Sequence, residues 1–424
     1  MRGFVTAVTS ALLLLASAAL CAQETLSPAT YKQLNEIQEL LGEAKYPEAR
    51  SGLDDLVDDL KPGFALALTC ELYGQYFLLQ EKPKDALIWY RKSLAQNALT
   101  APQEAGLATT TAQLMLSLDD TQGAVAELAP RLEKLLKQEE ADSAKAKASG
   151  KDPVQIIPPL SFATLGSAYH LLADYRNSVL WTERAVSRAR SRGEVVKEPW
   201  LQMLMAGYYQ LKNYQRTAEV LDDLLRLNPQ REDYWAQQAS MYQLLNKPAL
   251  ALRSLELGYA GGYLKKADSI LFMVQLMIGQ NLPERAGRIL SKHLQDGSIE
   301  LNERNWRLTA MAWQQGRERG KAIDAMNKAA GFMEDGSLLL LSGQLAMQDG
   351  DFALALKQAE AAVAKGLKDK DQPKARMLAG TAALELKDTA TARRYFQQGL
   401  NYADTAGNAR AWLDYIAALD EYGG

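Results

Sequence analysis

An all-α solenoid of stacked helix pairs is the fold that the sequence predicts, and three observations carry the prediction. A small residue of helical context recurs at near-constant intervals along the chain. The segments between the halves of each interval hold turn and helix-start residues at matching places. No segment shows sustained apolar–polar alternation with β-branched enrichment, so strands are not expected.

The recurring small residue of the second helix reads Ala49, Ala86, Ala124, Ser178, Ala218, Ala251, Ala286, Ala322, Ala355 and Ala392. The successive gaps are 37, 38, 54, 40, 33, 35, 36, 33 and 37 residues. Other residues keep step with it. Trp235, Ala239 and Tyr242 precede Ala251, and Trp306, Ala310 and Trp313 precede Ala322. Phe162, Gly166 and Tyr169 precede Ser178, Gly74 and Phe77 precede Ala86, and Gly343 and Gly380 precede Ala355 and Ala392. A bulky residue, a small one, an aromatic and a second-helix alanine, in a unit of about 34 residues, make the tetratricopeptide (TPR) pattern. The small residues let two helices approach closely, and the bulky ones fill the space between successive pairs. The expectation is a TPR-like solenoid, a right-handed superhelix of about ten helix pairs closed by a C-terminal capping helix.

The turn chemistry supports each pair. "EAKYPEA", "QEKPKDA", "LKNYQRT", "LNKPALA", "QNLPERA" and "QDGDFALA" all fall between a first helix (A) and a second helix (B). Proline at the first helical position loses no intrahelical hydrogen bond. The 54-residue gap marks an insertion at 137–159, whose charged, Ala-rich first part extends the preceding helix before Gly150, Pro153, Pro158 and Pro159 break it. Two readings stand for it: a surface loop, or an arm or hinge between two solenoid halves. At the other end, Asn408 is placed to cap a last helix with Trp412, Tyr415, Ile416 and Leu419 on one face. The expected divisions are therefore a signal segment at 1–22, repeats at 23–136, the insertion at 137–159, repeats at 160–407 and a capping helix at 408–424.

The first residues differ from the rest. Arg2 is followed by an uncharged run from Val5 to Leu20, and the first acid is Glu24. This pattern is that of an export signal, and the run falls short of the roughly 20 apolar residues that span a bilayer. Cleavage after Ala22 would leave Gln23 first and shift the formal charge from −3 to −4. A periplasmic location is expected. The alternative is a lipoprotein acylated at Cys21, although Leu20 and Ala18 stand in the reverse of the usual order before it. With Cys21 removed, Cys70 is alone and no internal disulfide can form.

Composition is that of a folded domain, 47% hydrophobic and 23% charged. The weakly acidic balance argues against nucleic acid, which calls for a basic patch. His170 and His293 lie in different repeats and make no metal-ligand pattern with Cys70. The chain has no G-x-S-x-G, H-E-x-x-H or P-loop sequence. No cofactor and no metal are expected, and an enzyme is not.

A site is expected on the faces of the A helices. With the helix-B small residue numbered as place 20, places 9 and 12 face the groove of a TPR array. Place 9 reads Gln38, Gln75, Gln113, Ser167, Gly207, Ser240, Gln275, Met311, Gln344 and Thr381. Place 12 reads Leu41, Leu78, Leu116, His170, Gln210, Gln243, Ile278, Gln314, Met347 and Leu384. Neither set carries a formal charge, and glutamine is heavily represented. An amide donates and accepts, which suits the main chain of an extended peptide. The same glutamines are also what a water-facing helix surface would carry, and both readings stay open. Trp235, Trp306 and Trp313 hold packing places, whereas Trp200 falls at place 2 and is the binding candidate among the tryptophans. The candidate groove set is Gln75, Gln113, His170, Trp200, Gln210, Gln243, Gln275, Gln314 and Gln344.

Three segments of the C-terminal half carry a more specific likeness: "EDYWAQQASMYQLLNKPALALRSLELGYAGGYLKKADSI" at 232–270, "ILSKHLQDGSIELNERN" at 289–305 and "GNARAWLDYI" at 407–416. In that order they resemble the periplasmic TPR component of the TonB system, found beside ExbB, ExbD and TonB-like proteins. The likeness covers roughly residues 200–424; the first half matches only as a repeat pattern. It implies an accessory role in energised uptake across the outer membrane and supplies no catalytic residues. The alternative is a TPR scaffold for envelope assembly or secretion, serving outer-membrane proteins, pili or polysaccharide export.

Overall fold

In a computed structural model of the chain, residues 26–422 are described, and every element among them is a helix. The expected signal segment 1–22, with Cys21, lies outside them, as does Gln23. The chain divides into two compact units between Leu227 and Asn228.

The first unit holds five helix pairs: α1 (Pro28–Gly42) with α2 (Tyr46–Asp59), α3 (Phe64–Leu79) with α4 (Pro83–Ala95), α5 (Ala101–Ser117) with α6 (Thr121–Ala148), α7 (Pro159–Leu171) with α8 (Tyr175–Ser191), and α9 (Glu198–Gln210) with α10 (Tyr214–Leu227). The second holds five more: α11 (Glu232–Leu244) with α12 (Pro248–Ala260), α13 (Ala267–Gly279) with α14 (Pro283–Gln295), α15 (Glu303–Gln315) with α16 (Arg319–Ala330), α17 (Ser337–Gln348) with α18 (Phe352–Lys365), and α19 (Gln372–Glu385) with α20 (Thr389–Gly399). Helix α21 (Ala403–Tyr422) follows. Within each unit every helix packs on the next in sequence, the arrangement of an α-solenoid.

One turn geometry joins A to B in all ten pairs. Ala44, Glu81, Asp119, Ala173, Lys212, Asn246, Asn281, Arg317, Gly350 and Lys387 have φ between 55° and 81°. In each case the following N–H bonds a carbonyl five residues back, as Lys82 N does to Phe77 O at 2.9 Å and Glu318 N to Trp313 O at 2.9 Å. This is the Schellman closure, which satisfies carbonyls that a helix end leaves open. The next residue often caps helix B: the side chains of Asp120, Asp174, Asn213, Asp351 and Asp388 each accept an N–H three residues on. Pro47, Pro83, Pro248 and Pro283 open their B helices. A non-glycine residue in the left-handed region costs about 1 kcal/mol. Exposed Lys212, at φ 57°, is therefore expected to yield about that gain on Lys212→Gly. Urea melting of the two proteins checks it.

The left-handed residue also sets the register. It lies five residues ahead of the helix-B small place in nine pairs as the sequence reads them, from Ala44 before Ala49 to Lys387 before Ala392. In the fifth pair the same offset from Lys212 lands on Thr217, not Ala218. Thr217 is 2% exposed, and its hydroxyl bonds Asn213 O at 3.0 Å. The repeat is thus displaced by one residue from its sequence reading, with consequences for the site.

The small places do what their size implies. Ala49, Ala86, Ala124, Ala251, Ala286, Ala322, Ala355 and Ala392 are wholly buried. Helix α3 crosses α4 at Gly74, where a Cβ would strike the Tyr90 ring, and a Cβ on Gly380 in α19 would lie 2.6 Å from Phe396 Cε1 in α20.

The 137–159 segment is tied down. Helix α6 runs unbroken through 137–148. The chain then folds back so that Ile157 is wholly buried. Buried Glu139 accepts the N–H of Ile156 at 2.9 Å and of Ile157 at 3.2 Å, and pairs with Arg188 of α8. Arg188 also donates to Ile157 O at 2.7 Å. Ser143 both gives to and takes from the Val154 backbone. These bonds tie the segment read from the sequence as a loop, an arm or a hinge to α6 and α8.

Helix α21 begins at Ala403, so Asn408 lies inside it and does not cap it. Its first turn closes on Tyr402 O, which accepts Ala406 N–H at 2.9 Å, and Thr405 Oγ1 bonds Gly399 O at 2.9 Å. The helix still covers the last pair: Ile416 and Ala409 are wholly buried, and Trp412 stacks on Phe396 at 5.8 Å. Tyr415 and Leu419 stay half exposed.

Candidate functional site

Place 8 of helix A is turned into its own helix B, at Gly74, Gly166, Ala239 or Gly380, for example. Place 9, one residue on and about 100° around the helix, is turned away. None of its residues is buried: Gln38, Gln75, Gln113, Ser167 and Ala206 in the first unit, and Ser240, Gln275, Met311, Gln344 and Thr381 in the second. Ala206 stands here rather than Gly207 because of the displaced register.

The displacement also corrects Trp200. Counted from Thr217 it holds place 3, and place 3 is buried in nine of the ten pairs, as at Thr69, Ser161, Tyr234 and Leu338. Trp200 is accordingly 7% exposed and belongs to the packing between helices, not to a groove. Its neighbour Pro199 holds place 2 and is exposed. Gln210 likewise moves to place 13, leaving Tyr209 at place 12, 49% exposed. Gln210 itself is exposed.

In the first unit the remaining candidates divide. Gln113 Nε2 donates to Thr164 Oγ1 of the next pair at 3.1 Å, so this amide links repeats. His170 stands with its Nδ1 3.5 Å from Ser178 Oγ and its ring edge-on to Tyr175 at 5.4 Å, in a structural setting. Gln75 is half-buried on the open face of α3.

In the second unit two candidates come together. Gln243 of α11 and Gln275 of α13 line one cavity of about 310 Å³ with Pro248, Phe272, Leu276, Gly279 and Gln280. Three amides surround an apolar wall and no charged group lines it, a combination suited to an apolar side chain and the peptide groups beside it. Gln314 is exposed and Gln344 half-buried on the same faces of α15 and α17, outside this cavity.

The groove places named from the sequence leave out two residues of the cavity lining, Phe272 and Gln280. Phe272 lies on α13 and Gln280 at its C-terminal end, at neither place 9 nor place 12. Apart from the cavity, Glu71 of α3 stands half-buried at place 5. Burial, with nothing to offset it, pushes its carboxyl up from 4.5 to about 7. A count of place 5 would have found it, since only Glu71 and Arg307 are charged there. His293 is a separate case: it is buried, its Nε2 lies 2.8 Å from Tyr259 Oη, and burial lowers its pKa. Among the described residues no group of three or more His, Cys, Asp or Glu is arranged to hold a metal ion. No helix among them is long and apolar enough to cross a membrane. Cys70 is buried and free, and burial raises its thiol to about 11.

Ten helix pairs with one register, one turn and an open A face define the class, a tetratricopeptide-type repeat array. No family model matches the chain, and no curated protein matches it in sequence. Solved structures similar to it include YrrB, described as a TPR protein with an unusual peptide-binding site, at 14% identity and TM-score 0.33, over 46% of this chain and 97% of that one. A tetratricopeptide repeat protein from Parabacteroides merdae is similar at 13% identity and TM-score 0.30, over 66% and 98%. The TPR2AB-domain:pHSP90 complex of yeast Sti1 is similar at 15% and 0.30, over 75% and 99%. These superpositions are loose, and the class rests on the chain's own register and turns.

Proposed function

We propose that the chain is a non-enzymatic interaction scaffold that holds an extended, largely uncharged segment of another protein along its A faces, and that it serves a TonB–ExbB–ExbD energy-transducing system from the periplasm. The observation that carries the binding reading is the cavity lined by Gln243, Gln275 and Gln280 together with Phe272 and Leu276. Amides at such spacing satisfy main-chain donors and acceptors without selecting a charge. The TonB reading is supported by the likeness of residues 232–270, 289–305 and 407–416, and Gln243 lies within the first of these. The periplasmic reading is supported by the run from Val5 to Leu20.

A photo-crosslinker at Gln275 in intact cells tests the proposal. Attachment to a TonB-, ExbB- or ExbD-like protein is the expected result. Attachment to an outer-membrane-protein, pilus or polysaccharide-export component would move the function to envelope assembly. For a segment bound at the cavity, Gln243→Ala with Gln275→Ala is expected to lower affinity about tenfold, because each amide contributes roughly 0.5–1.5 kcal/mol. An unchanged affinity by titration calorimetry would remove these residues from the site.

A further inference from the structure

Helix α12 meets helix α14 through two polar contacts. Arg285 Nη2 lies 2.9 Å from Glu256 Oε1. Tyr259 Oη lies 2.8 Å from His293 Nε2, with the two rings edge-on at 5.6 Å. Among the described residues, the buried side-chain atoms that make no hydrogen bond are Glu256 Oε1 and His293 Nδ1, and both stand at this junction. Glu256 Oε1 has the Arg285 charge beside it. His293 Nδ1 faces Asp296 Oδ2 at 3.5 Å, too long for a hydrogen bond, and the His293 side chain is only 10% exposed. Asp296 is held short of the ring by its other oxygen, which accepts the N–H of Ser298 at 2.9 Å and the Ser298 hydroxyl at 2.5 Å.

This geometry assigns the protons. A bare Nδ1 would set its lone pair against the Asp296 carboxylate, so Nδ1 carries the proton of the neutral ring and Tyr259 donates to Nε2. A second proton, on Nε2, displaces that donor and leaves a charge in a buried place. The Tyr259 oxygen must then accept, and its own proton loses its acceptor. The charges that bear on the ring are those of Asp296 and Lys292, whose ammonium lies 5.9 Å from the centre of the Tyr259 ring. On the helices around it, Glu256 of α12 is engaged by Arg285, Asp268 of α13 lies in that helix's first turn, and Glu303 of α15 is engaged by Arg307 at 2.9 Å. Burial outweighs the pull of Asp296 and holds the ring below its ordinary 6.5. The unfolded chain therefore takes the proton first as pH falls. The stability that the neutral ring contributes is present above 6.5 and is lost as pH drops below it.

The ring is also tied to the turn that follows it. His293 O accepts the N–H of Ile299 at 2.9 Å, and Ile299 is wholly buried in the core that Leu290 and Leu294 share. We propose that Tyr259, His293 and Asp296 form a proton-operated release. The neutral imidazole fastens α12 to α14, and its protonation frees the turn at 296–302 that seats α15. The device lies within the second unit and acts whether or not the A faces hold a peptide.

The test compares the full chain with its His293→Gln variant, whose amide oxygen can replace Nε2 as the acceptor for Tyr259. Amide exchange over 293–302, read by mass spectrometry, is expected to be the same in the two proteins at pH 7.5 and faster in wild type at pH 5. The urea midpoint is expected to fall further in wild type than in the variant over the same interval, while the carboxylates common to both cancel in the comparison. Nitrogen-resolved NMR of the wild-type imidazole is expected to show the Nδ1–H form at pH 7.5 and a titration below 6.5. An equal pH response of exchange in the two proteins overturns the proposal. So does an Nε2–H ring at pH 7.5, or a ring that titrates at 6.5 or above. Should His293→Gln not fold, the wild-type ring spectrum decides alone.

Discussion

Replacing Glu139 with alanine is expected to lower the stability of the first unit by about 3 kcal/mol or more. The carboxylate receives two backbone N–H groups and the Arg188 guanidinium in a buried setting, and Arg188 in turn holds Ile157 O. Removing the acid leaves Arg188 with a buried charge and frees the N–H groups of Ile156 and Ile157. The loss should be localised. Limited proteolysis is expected to begin within 149–158 in Glu139→Ala and not in wild type, and urea melting should show an earlier transition. A compensating pair, Glu139→Leu with Arg188→Met, is expected to recover only the part due to the unpaired Arg188 charge, since the N–H groups of Ile156 and Ile157 still lack their acceptor. A shift below about 1 kcal/mol in Glu139→Ala would mean that the return of the chain after α6 is held by Ile157 burial and not by charge.

The second large effect is expected at the other end. Phe396 is wholly buried, lies over Gly380 and stacks on Trp412 of α21. Phe396→Ala is expected to cost about 3–5 kcal/mol through lost burial and the cavity left behind. The glycine opposite cannot fill the space. Each repeat is stabilised by its neighbours, so the damage should concentrate in α19, α20 and α21. Amide exchange is expected to accelerate over 372–422 while the protection of α11 to α14 stays as it was. Uniform acceleration through the second unit would show that it melts as one block.

Much of this fold could be read from the sequence because the helix-B small place is a contact of fixed size. Nine of the ten small places align with the left-handed turn residue. The tenth was misread because Thr217 satisfies its own hydroxyl on Asn213 O and so fits a small buried place that looks, by residue type, to belong to Ala218. That one-residue slip moved Trp200 from packing to groove and Gln210 onto place 12. Helix α21 was started late for a similar reason: Asn408 is a good capping type, but the first turn closes earlier, on Tyr402 O. The site was legible only in part. Gln243 and Gln275 were found because they stand at places 12 and 9, whereas Phe272 and Gln280 line the same cavity from other places of α13 and its end. Glu71 is set apart by burial, which packing decides and residue type does not report.

The shared left-handed joint has a consequence for how such a chain can change length. Glu81 and Asp119 present the same backbone exit to the helix that follows, one in the second pair and one in the third. A gene deletion or duplication that begins at one of these joints and ends at another rejoins identical conformations, so no new corner has to be invented. Growth and shrinkage by whole pairs thereby become single events, and the reach of the molecule can be adjusted to a longer or shorter client while its internal corners keep their shape.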